Sequence, residues 1–162
     1  MSQKITISVI GGHESTDKVE KIAHKIGEII ANVGAILVCG GLEGIMRSAS
    51  CGCKEAGGMT IGLLPGNDKS AANPYIDIAL PTTIGFARNA MVAASADIII
   101  ALPGSHGTSS EISYGFVYKR PIIDFGGWNR EGMIKVGNVD ALEQKLIELI
   151  GVIQKERNAG AA

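Results

Sequence analysis

The chain has 162 residues, which is enough for one well-buried domain and too few for two ordinary domains. Its formal net charge of −1 and its aromatic content of 4% exclude the basic surface and the stacking side chains that nucleic-acid-binding proteins use. No apolar run approaches the ~20 residues of a membrane span, and no signal-peptide pattern opens the sequence. Together with three cysteines that lack CxxC spacing, this predicts a cytoplasmic protein with no nucleic-acid partner and no membrane contact.

The first part of the chain alternates short apolar runs with helical patterns. We predict strands over residues 5–10, 35–39 and 60–64. The helix after the first strand has apolar residues at helical spacing, begins at a cap on Ser15 or Thr16, and ends at Gly34. A second helix is predicted over about 45–56.

The same alternation continues to the end of the chain. We predict strands over residues 76–80, 98–102 and 121–125. Helices are expected over 84–94, from Thr108, and from Asn138 or Val139 onward. Residues 156–162 look like a disordered tail, so a single ligand-binding domain is expected over 1–155.

Apolar strands that alternate with helices predict an α/β fold: a single-domain, doubly wound parallel sheet of the Rossmann-like type with helices on both faces. Glycine makes up 22 of 162 residues, about twice its usual share. Its clusters at 11–12, 40–44 and 104–107 each follow a predicted strand. Because the carboxyl ends of parallel strands share one edge of the sheet, we expect these clusters to converge on one crevice.

A strand, a glycine-containing loop and a helix follow one another within residues 97–118. Pro103, Gly104 and Gly107 interrupt the chain before Thr108 opens the helix. The first N–H groups of such a helix have no intrahelical partners and carry the positive end of its dipole, so they favour an anion. Small residues leave room for a phosphate, and we expect this loop to form the floor of a ligand site.

Two charged residues near this loop each have two interpretations. Thr108 and Glu111 have the spacing of a capping box, yet the same carboxylate is placed to act as a general acid or base. The spacing does not show which of these two roles Glu111 has. On physical grounds alone, the capping role is favoured. Arg88 is either a solvated charge or, because its neighbours are apolar, a guanidinium held at the rim of the site.

Other polar residues give weaker signals. His13 and His106 lie in loops on the phosphate side, where each is either a donor to a ligand or a turn residue without a role. The loop at 39–44 resembles a dinucleotide fingerprint whose first glycine is Cys39. No acidic residue follows at the end of the next strand, so a backbone cradle for part of a nucleotide, or glycines that only permit close packing, are better interpretations than an NAD site.

The cysteines do not predict a metal site. Cys51 and Cys53 are two apart on a predicted helix and point to different faces, so they cannot bind one ion together. No Ser or Cys nucleophile motif, Walker loop or HExxH motif is present in the sequence. We expect no metal.

Several motifs occur in a fixed order along the chain. They are Gly40-Gly41-Leu42-Glu43-Gly44-Ile45-Met46, Ala56-Gly57-Gly58, Arg88-Asn89, and Pro103-Gly104-Ser105-His106-Gly107-Thr108-Ser109-Ser110-Glu111. Over nearly the whole chain they resemble the LONELY GUY and "lysine decarboxylase-like" superfamily of Rossmann-type proteins. The likeness is closest to its short branch, which includes molybdenum cofactor carrier proteins. Cys39 and Ser105 replace glycines of the family motifs, and Arg88-Asn89 stands where the phosphoribohydrolase branch has Arg-Lys.

The resemblance implies a site for a small phosphorylated ligand. The residues that we expect to contact this ligand, from the converging loops and the resemblance together, are Gly12, Gly40, Gly41, Gly44, Arg88, Asn89, Pro103, Gly104, Ser105, His106, Gly107, Thr108 and Ser109. Of these, the family implies that the phosphate is held by Gly104, Gly107, Thr108 and Ser109. In the enzymatic branch, the residues that match Arg88 and Glu111 carry out the catalytic chemistry.

Two functions follow from this resemblance, with nucleotide sensing as a minor third. The chain is either a binding protein that holds a molybdopterin-type cofactor without turnover, or a phosphoribohydrolase that splits a nucleoside 5′-monophosphate into base and ribose 5-phosphate. No cofactor is required for that catalysis. No lysine lies in a recognisable pyridoxal-phosphate site, so lysine decarboxylation is not expected. The family also implies a homodimer or a higher homo-oligomer.

Overall fold

The computed structural model describes residues 3–160 of the chain. Within this range, seven parallel strands form one sheet. They are β1 (Thr6–Ile10), β2 (Ile36–Cys39), β3 (Met59–Leu64), β4 (Ile78–Pro81), β5 (Ile98–Ala101), β6 (Ile122–Asp124) and β7 (Ile134–Lys135). The α-helices are α1 (Asp17–Asn32), α2 (Ile45–Glu55), α3 (Asn89–Ala94), α4 (His106–Val117) and α5 (Val139–Gly160). Two 3₁₀ turns are Lys69–Ala71 and Gly85–Arg88.

The strand order is β4-β3-β2-β1-β5-β6-β7, so the chain winds outward from β1 in both directions. β1 pairs with β2 on one side, where Thr6 lies opposite Ile36, and with β5 on the other side, where Ile7 lies opposite Ile98. The structure confirms the predicted doubly wound parallel sheet. In this topology a ligand crevice is expected between the loops that leave β1 and β5.

The two faces of the sheet bury separate apolar clusters because side chains alternate along each strand. In β1, Ile7 and Val9 pack in a cluster with α1, α2 and α5, whereas Ile10 packs in a second cluster with α3 and α4. Helices therefore cover both faces, as predicted. The central strand β5 is buried along its whole length, which explains why it reads as an uninterrupted apolar run.

Helices α1 and α2 touch backbone to backbone. A Cβ on Gly27 of α1 would overlap the carbonyl oxygen of Ala49, and a Cβ on Gly52 of α2 would overlap the carbonyl oxygen of His24. The two glycines allow the helices to interlock, because any larger residue would push the backbones apart. This contact fixes which side chains meet on the outer side of the helix pair.

The helix predicted over 84–94 is divided in the structure. It consists of the 3₁₀ turn Gly85–Arg88 followed by α3, which begins at Asn89. In this arrangement Phe86 is 85% exposed and Arg88 is only 6% exposed. β7 was absent from the prediction because two residues are too few to show a periodic pattern.

The C-terminal prediction of a disordered tail is wrong for residues 156–160, which continue helix α5. Arg157 anchors this end of the helix: its Nη2 donates to Oδ1 of Asp97 at 2.6 Å, and its Nη1 donates to the carbonyl oxygen of Gln3 at 3.2 Å. Residues 161–162 of the predicted tail lie outside the described range. The assignment of one domain to 1–155 stays a prediction.

Within residues 3–160, none of the helices combines the length and the apolar composition needed to cross a bilayer.

Candidate functional site

Three glycine-containing loops meet at the carboxyl edge of the sheet. The amide of Gly12, after β1, donates to the carbonyl oxygen of Pro103, after β5, at 3.0 Å. The carbonyl oxygen of Gly12 accepts from the amide of Ile45, at the start of α2, at 3.1 Å. The glycine clusters that the sequence places after β1, β2 and β5 therefore converge, as expected for parallel strands.

Two glycines in these loops are required by close contacts. A Cβ on Gly40 would lie 2.6 Å from Nη2 of Arg88, and a Cβ on Gly104 would overlap the side chain of Thr108. Gly41 and Gly44 have positive φ angles of 76° and 67°, which other residues rarely adopt. At these four positions glycine allows the loops to approach one another.

The N-terminus of α4 faces this region without a side-chain cap. The capping residue is Ser105, whose side chain makes no capping hydrogen bond, and its carbonyl oxygen accepts from the amide of Ser109 at 2.9 Å. The amides of residues 106–108 belong to the first helical turn and have no intrahelical acceptors. These amides and the positive end of the helix dipole favour an anion.

The capping box predicted for Thr108 and Glu111 is not formed. Because α4 begins at His106, Thr108 is its third residue and Glu111 its sixth, one turn too deep to reach the free amides. Thr108 is 4% exposed and packs against Gly104 instead. Glu111 therefore has no capping role, which removes the interpretation that the sequence alone favoured.

Arg88 is buried beneath the loops. The sequence had suggested a solvated charge or a guanidinium held at the rim of the site, and the structure shows neither. Nη1 of Arg88 donates to Oδ1 of Asn89, and its Nη2 donates to the carbonyl oxygen of Gly40 at 3.5 Å. Among the residues that the structure describes, Nε of Arg88 has no hydrogen-bond partner although it is buried. Nδ2 of Asn89 in turn donates to Oγ of Ser110 at 3.0 Å and to the carbonyl oxygen of Gly107 at 3.4 Å. Through these hydrogen bonds, Asn89 connects Arg88 to the first turns of α4.

Glu111 lies close to this guanidinium. Its Oε1 is 4.0 Å from Nη1 of Arg88, and the residue is 7% exposed. Burial raises the pKa of Glu111 to about 8, against the opposing effect of Arg88. At neutral pH most of the carboxyl groups are therefore protonated, so the pair carries a net positive charge.

A cavity of about 610 Å³ opens beside the N-terminus of α4. Its lining residues are Gly12, His13, Glu14, Ser15, Thr16, Val19, Pro103, Gly104 and Ser105. Arg88 and Glu111 are not among them. His13 and His106 are both exposed, and His13 lies 3.8 Å from the carboxylate of Glu14.

The sequence analysis missed a contribution from the loop after β6. Arg130 donates through Nη2 to Oγ of Ser109 and through Nη1 to Oγ of Ser113 at 3.2 Å. The hydroxyl of Ser109, which the family resemblance places on a phosphate, is thus engaged by an arginine. Its guanidinium also lies 5.8 Å from the ring centroid of Trp128. Arg130 therefore adds a second positive charge beside α4.

The residue that shapes this loop is Asp124, the last residue of β6. Its carboxylate accepts from the amides of Gly126, Trp128 and Asn129 at 3.0, 3.1 and 2.8 Å. Nε1 of Trp128 then donates to the carbonyl oxygen of Leu102 at 3.0 Å, which draws the loop toward β5. An aspartate at the carboxyl end of a buried strand, followed by two glycines, was the available signal for this arrangement.

Comparisons with known proteins agree with this architecture. The family model described as LDcluster4, SLOG cluster4 family, matches residues 4–155. An uncharacterized protein of Archaeoglobus fulgidus is 39% identical over 107 residues, which are 66% of this chain and 70% of the relative.

Solved structures of molybdenum cofactor proteins are similar over almost the whole chain. The molybdenum cofactor binding protein from Rippkaea orientalis has a TM-score of 0.82 at 32% identity, covering 94% of this chain and 99% of that one. The molybdenum cofactor carrier protein from Chlamydomonas reinhardtii has a TM-score of 0.82 at 28% identity, covering 92% and 99%. These matches confirm the resemblance that the sequence motifs indicated.

Proposed function

The chain belongs to the SLOG cluster4 family, and we propose that it holds a nucleotide-like small molecule of the molybdopterin type by a phosphate group, without turning it over. The similarity to proteins that bind or carry the molybdenum cofactor supports the ligand class. The charge distribution at the carboxyl edge of the sheet supports the mode of binding.

The observation that carries this proposal is the incompletely paired guanidinium of Arg88. It is 6% exposed, its Nε has no partner among the described residues, and Glu111 lies 4.0 Å away. A buried donor without an acceptor costs about 1–3 kcal/mol, and a buried charge without a counter-ion costs more. A phosphate oxygen beside Arg88 would supply both the acceptor and the negative charge.

The neighbouring groups fit the same ligand. Asn89 connects Arg88 to Gly107 and Ser110 in the first turns of α4, whose free amides favour an anion. Glycine at positions 40 and 104 allows the loops to pack closely against Arg88 and Thr108, with which a Cβ would collide. The residues present therefore fit the phosphate of a molybdopterin-type ligand, for which they would provide cationic and amide donors.

The protonation state of Glu111 favours binding of the ligand without turnover. Breaking an N-glycosidic bond develops positive charge on the sugar, which an ionised carboxylate stabilises. Because burial raises the pKa of Glu111 to about 8, most of its carboxyl groups are neutral at pH 7. A neutral carboxyl group does not repel a phosphate, and it offers little stabilisation to a cationic sugar.

The second candidate function is the phosphoribohydrolase. The observation in its favour is that Arg88 and Glu111, the pair implied by the enzymatic branch of the family, are both buried and are 4.0 Å apart at the site. In this case Glu111 would act after losing its proton, so cleavage of a nucleoside monophosphate would rise with pH toward 8 and above.

A co-purification experiment tests the carrier proposal. The chain is produced in a host supplied with molybdate, and the purified protein is analysed for molybdenum by mass spectrometry and for pterin by fluorescence after oxidation. Both should be present, and Arg88→Gln should lose most of them. Arg120→Gln is the matched control, because Nε of Arg120 is also buried without a partner within residues 3–160, but Arg120 precedes β6 at the opposite edge of the sheet. Absence of pterin, or equal loss in both variants, would contradict the proposal.

An activity assay separates the two candidates. Purified protein is incubated with a panel of nucleoside 5′-monophosphates at pH 7 and pH 9, and free base is measured by chromatography. The carrier proposal expects no release above the buffer control at either pH. Release that disappears in Glu111→Gln would establish the phosphoribohydrolase instead.

A further inference from the structure

A second cluster of reactive side chains lies on the outer side of the α1–α2 pair, away from Arg88. His24 projects from α1, and Cys51 and Glu55 project from one face of α2, four residues apart. Nε2 of His24 is 2.8 Å from Oε2 of Glu55, and Sγ of Cys51 is 3.5 Å from Oε1 of Glu55. One nitrogen, one sulfur and one carboxylate oxygen lie within 4.8 Å of one another.

The backbone holds these residues in place. Gly52 follows Cys51 directly, and a Cβ there would overlap the carbonyl oxygen of His24. His24 is therefore forced against the turn of α2 that carries Cys51. Groups on two interlocked helices keep their relative positions better than groups on loops.

The distances from Glu55 to its two partners can be compared with those of a tetrahedral zinc site, and all three ligand atoms lie within 4.8 Å of one another. Zinc binds sulfur at about 2.3 Å and nitrogen or oxygen at about 2.0–2.2 Å, which places neighbouring ligand atoms roughly 3.3–3.7 Å apart. The 3.5 Å between the atoms of Cys51 and Glu55 is within this range. The 2.8 Å between His24 and Glu55 needs a small rotation of the exposed Glu55 side chain.

A further carboxylate orients the histidine. Nδ1 of His24 is 3.3 Å from Oε1 of Glu28, one turn further along α1. A metal-binding histidine generally donates its other ring N–H to such a group, which fixes the tautomer and raises the basicity of the ligating nitrogen. With Nδ1 occupied by Glu28, Nε2 is the atom left to bind a metal, and it is the atom that faces Glu55.

The cluster is open to solvent on the side of a cavity of about 540 Å³. Both His24 and Cys51 line this cavity. Its other charged residues are Asp17, Glu20, Lys21, Glu43 and Arg47. The cavity has three acidic and two basic residues, and Glu55 adds a further negative charge, whereas the charge of Glu28 is balanced by Lys25 at 2.6 Å. The excess of negative charge favours a cation.

We propose that Nε2 of His24, Sγ of Cys51 and a carboxylate oxygen of Glu55 form a site for zinc or a similar borderline-soft divalent cation, with the fourth coordination position open to the cavity. Three protein ligands and an open position are typical of zinc sites that hold a water or an exogenous ligand. This site is independent of the phosphate site. It also differs from the sequence-based expectation of no metal, because the partners proposed for Cys51 are His24 of α1 and Glu55 of its own helix, and not Cys53.

The test uses the full chain after removal of metals with a chelator. The protein is titrated with Co²⁺, whose thiolate complexes have an intense near-ultraviolet charge-transfer band, and with Zn²⁺ in competition. One Co²⁺ per chain should bind with this band and with the visible spectrum of a tetrahedral site. Cys51→Ser should abolish the band, and His24→Gln should weaken binding by at least tenfold.

Two matched variants separate the site from general effects. Cys53→Ala removes a thiol from the buried face of the same helix, and Glu43→Gln removes a carboxylate that lines the cavity outside the cluster. Both should keep the band. Glu28→Gln should keep the thiolate band but weaken binding about 10–100-fold, as expected for an orienting partner.

Failure of the metal-free protein to bind one Co²⁺ per chain at micromolar concentrations would overturn the proposal. A thiolate band that survives Cys51→Ser, or that disappears in Cys53→Ala while the circular dichroism spectrum is unchanged, would also overturn it. None of these three results would affect the phosphate site, because no residue is shared between the two sites.

Discussion

Oε1 of Glu111 lies 4.0 Å from Nη1 of Arg88, with both side chains more than nine-tenths buried. At this separation the two groups do not form a tight ion pair, and burial outweighs the guanidinium in its effect on the carboxyl group. Burial raises the pKa of Glu111 to about 8 and lowers that of Arg88 from its usual value. The pair therefore carries positive charge at neutral pH and is suited to an anionic ligand.

The pH dependence of stability should report this state of Glu111. Its pKa is about 8 in the folded chain against 4.5 in the unfolded chain. Between pH 4.5 and about pH 8, the unfolded state binds fewer protons than the folded state. The free energy of unfolding therefore falls as pH rises. The stabilisation is complete below pH 4.5 and lost above about pH 8, and it amounts to several kcal/mol at about 1.4 kcal/mol per pKa unit.

Glu111→Gln removes this titration and provides the control. We expect the difference in unfolding free energy between the original chain and Glu111→Gln to decline from pH 5 to pH 8 and then level off. Urea denaturation followed by circular dichroism at pH 5, 6, 7, 8 and 9 measures it. A difference that does not change with pH would show that Glu111 is already ionised in the folded chain.

Gly104→Ala should remove phosphate binding at the N-terminus of α4. A Cβ at this position would overlap the side chain of Thr108, so the first turn of the helix must shift, at a cost of about 1–3 kcal/mol. We expect inorganic phosphate to shift the amide NMR signals of residues 106–108 in the original chain and not in Gly104→Ala. Gly66→Ala is the control, because a Cβ at Gly66 meets no atom of the described residues within 4 Å, and it should behave like the original chain.

The features that the sequence predicted correctly are local ones. The apolar run of β5 and the one-sided pattern of α1 depend on burial of each element by its neighbours, which leaves a signal in the order of residues. The position of three glycine clusters at one edge follows from parallel strands alone. For this reason the fold and the convergence of the glycine loops could be predicted without the structure.

The features that the sequence did not predict depend on a shift of a helix boundary by one or two residues, or on contacts between residues far apart in the chain. A start of α4 at His106 instead of Thr108 changes Glu111 from a cap into a buried acid. A 3₁₀ turn instead of an α-helix at Gly85–Arg88 turns Arg88 inward. Neither difference alters the hydrophobic pattern, so periodicity could not reveal it.

The anchor of the C-terminal helix gives a further prediction. Arg157 bonds to Asp97 and to the carbonyl of Gln3, and partly exposed pairs of this kind contribute up to about 1 kcal/mol. Arg157→Ala should therefore increase amide hydrogen exchange over residues 154–160 severalfold and leave the centre of α5 unchanged. Lys155→Ala should have little effect, because its side chain is exposed. Equal exchange in both variants would show that the anchor is not needed.

Two glycines in helices should respond oppositely to alanine because one of them is in contact with another backbone and the other is not. A Cβ on Gly52 would overlap the carbonyl oxygen of His24, whereas a Cβ on Gly151 in α5 meets no atom within 4 Å in the part of the chain that the structure describes. Gly52→Ala must separate α1 from α2, and we expect a loss of about 2–3 kcal/mol, at the upper end of the range for overpacking. Gly151→Ala replaces a flexible residue by the best helix former and should add about 0.5–1 kcal/mol. Denaturant unfolding of both variants at one pH shows whether each substitution raises or lowers the free energy of unfolding. Stabilisation by Gly52→Ala would mean that the helices are further apart than described, and His24 would then be too far from Cys51 to share a metal ion with it.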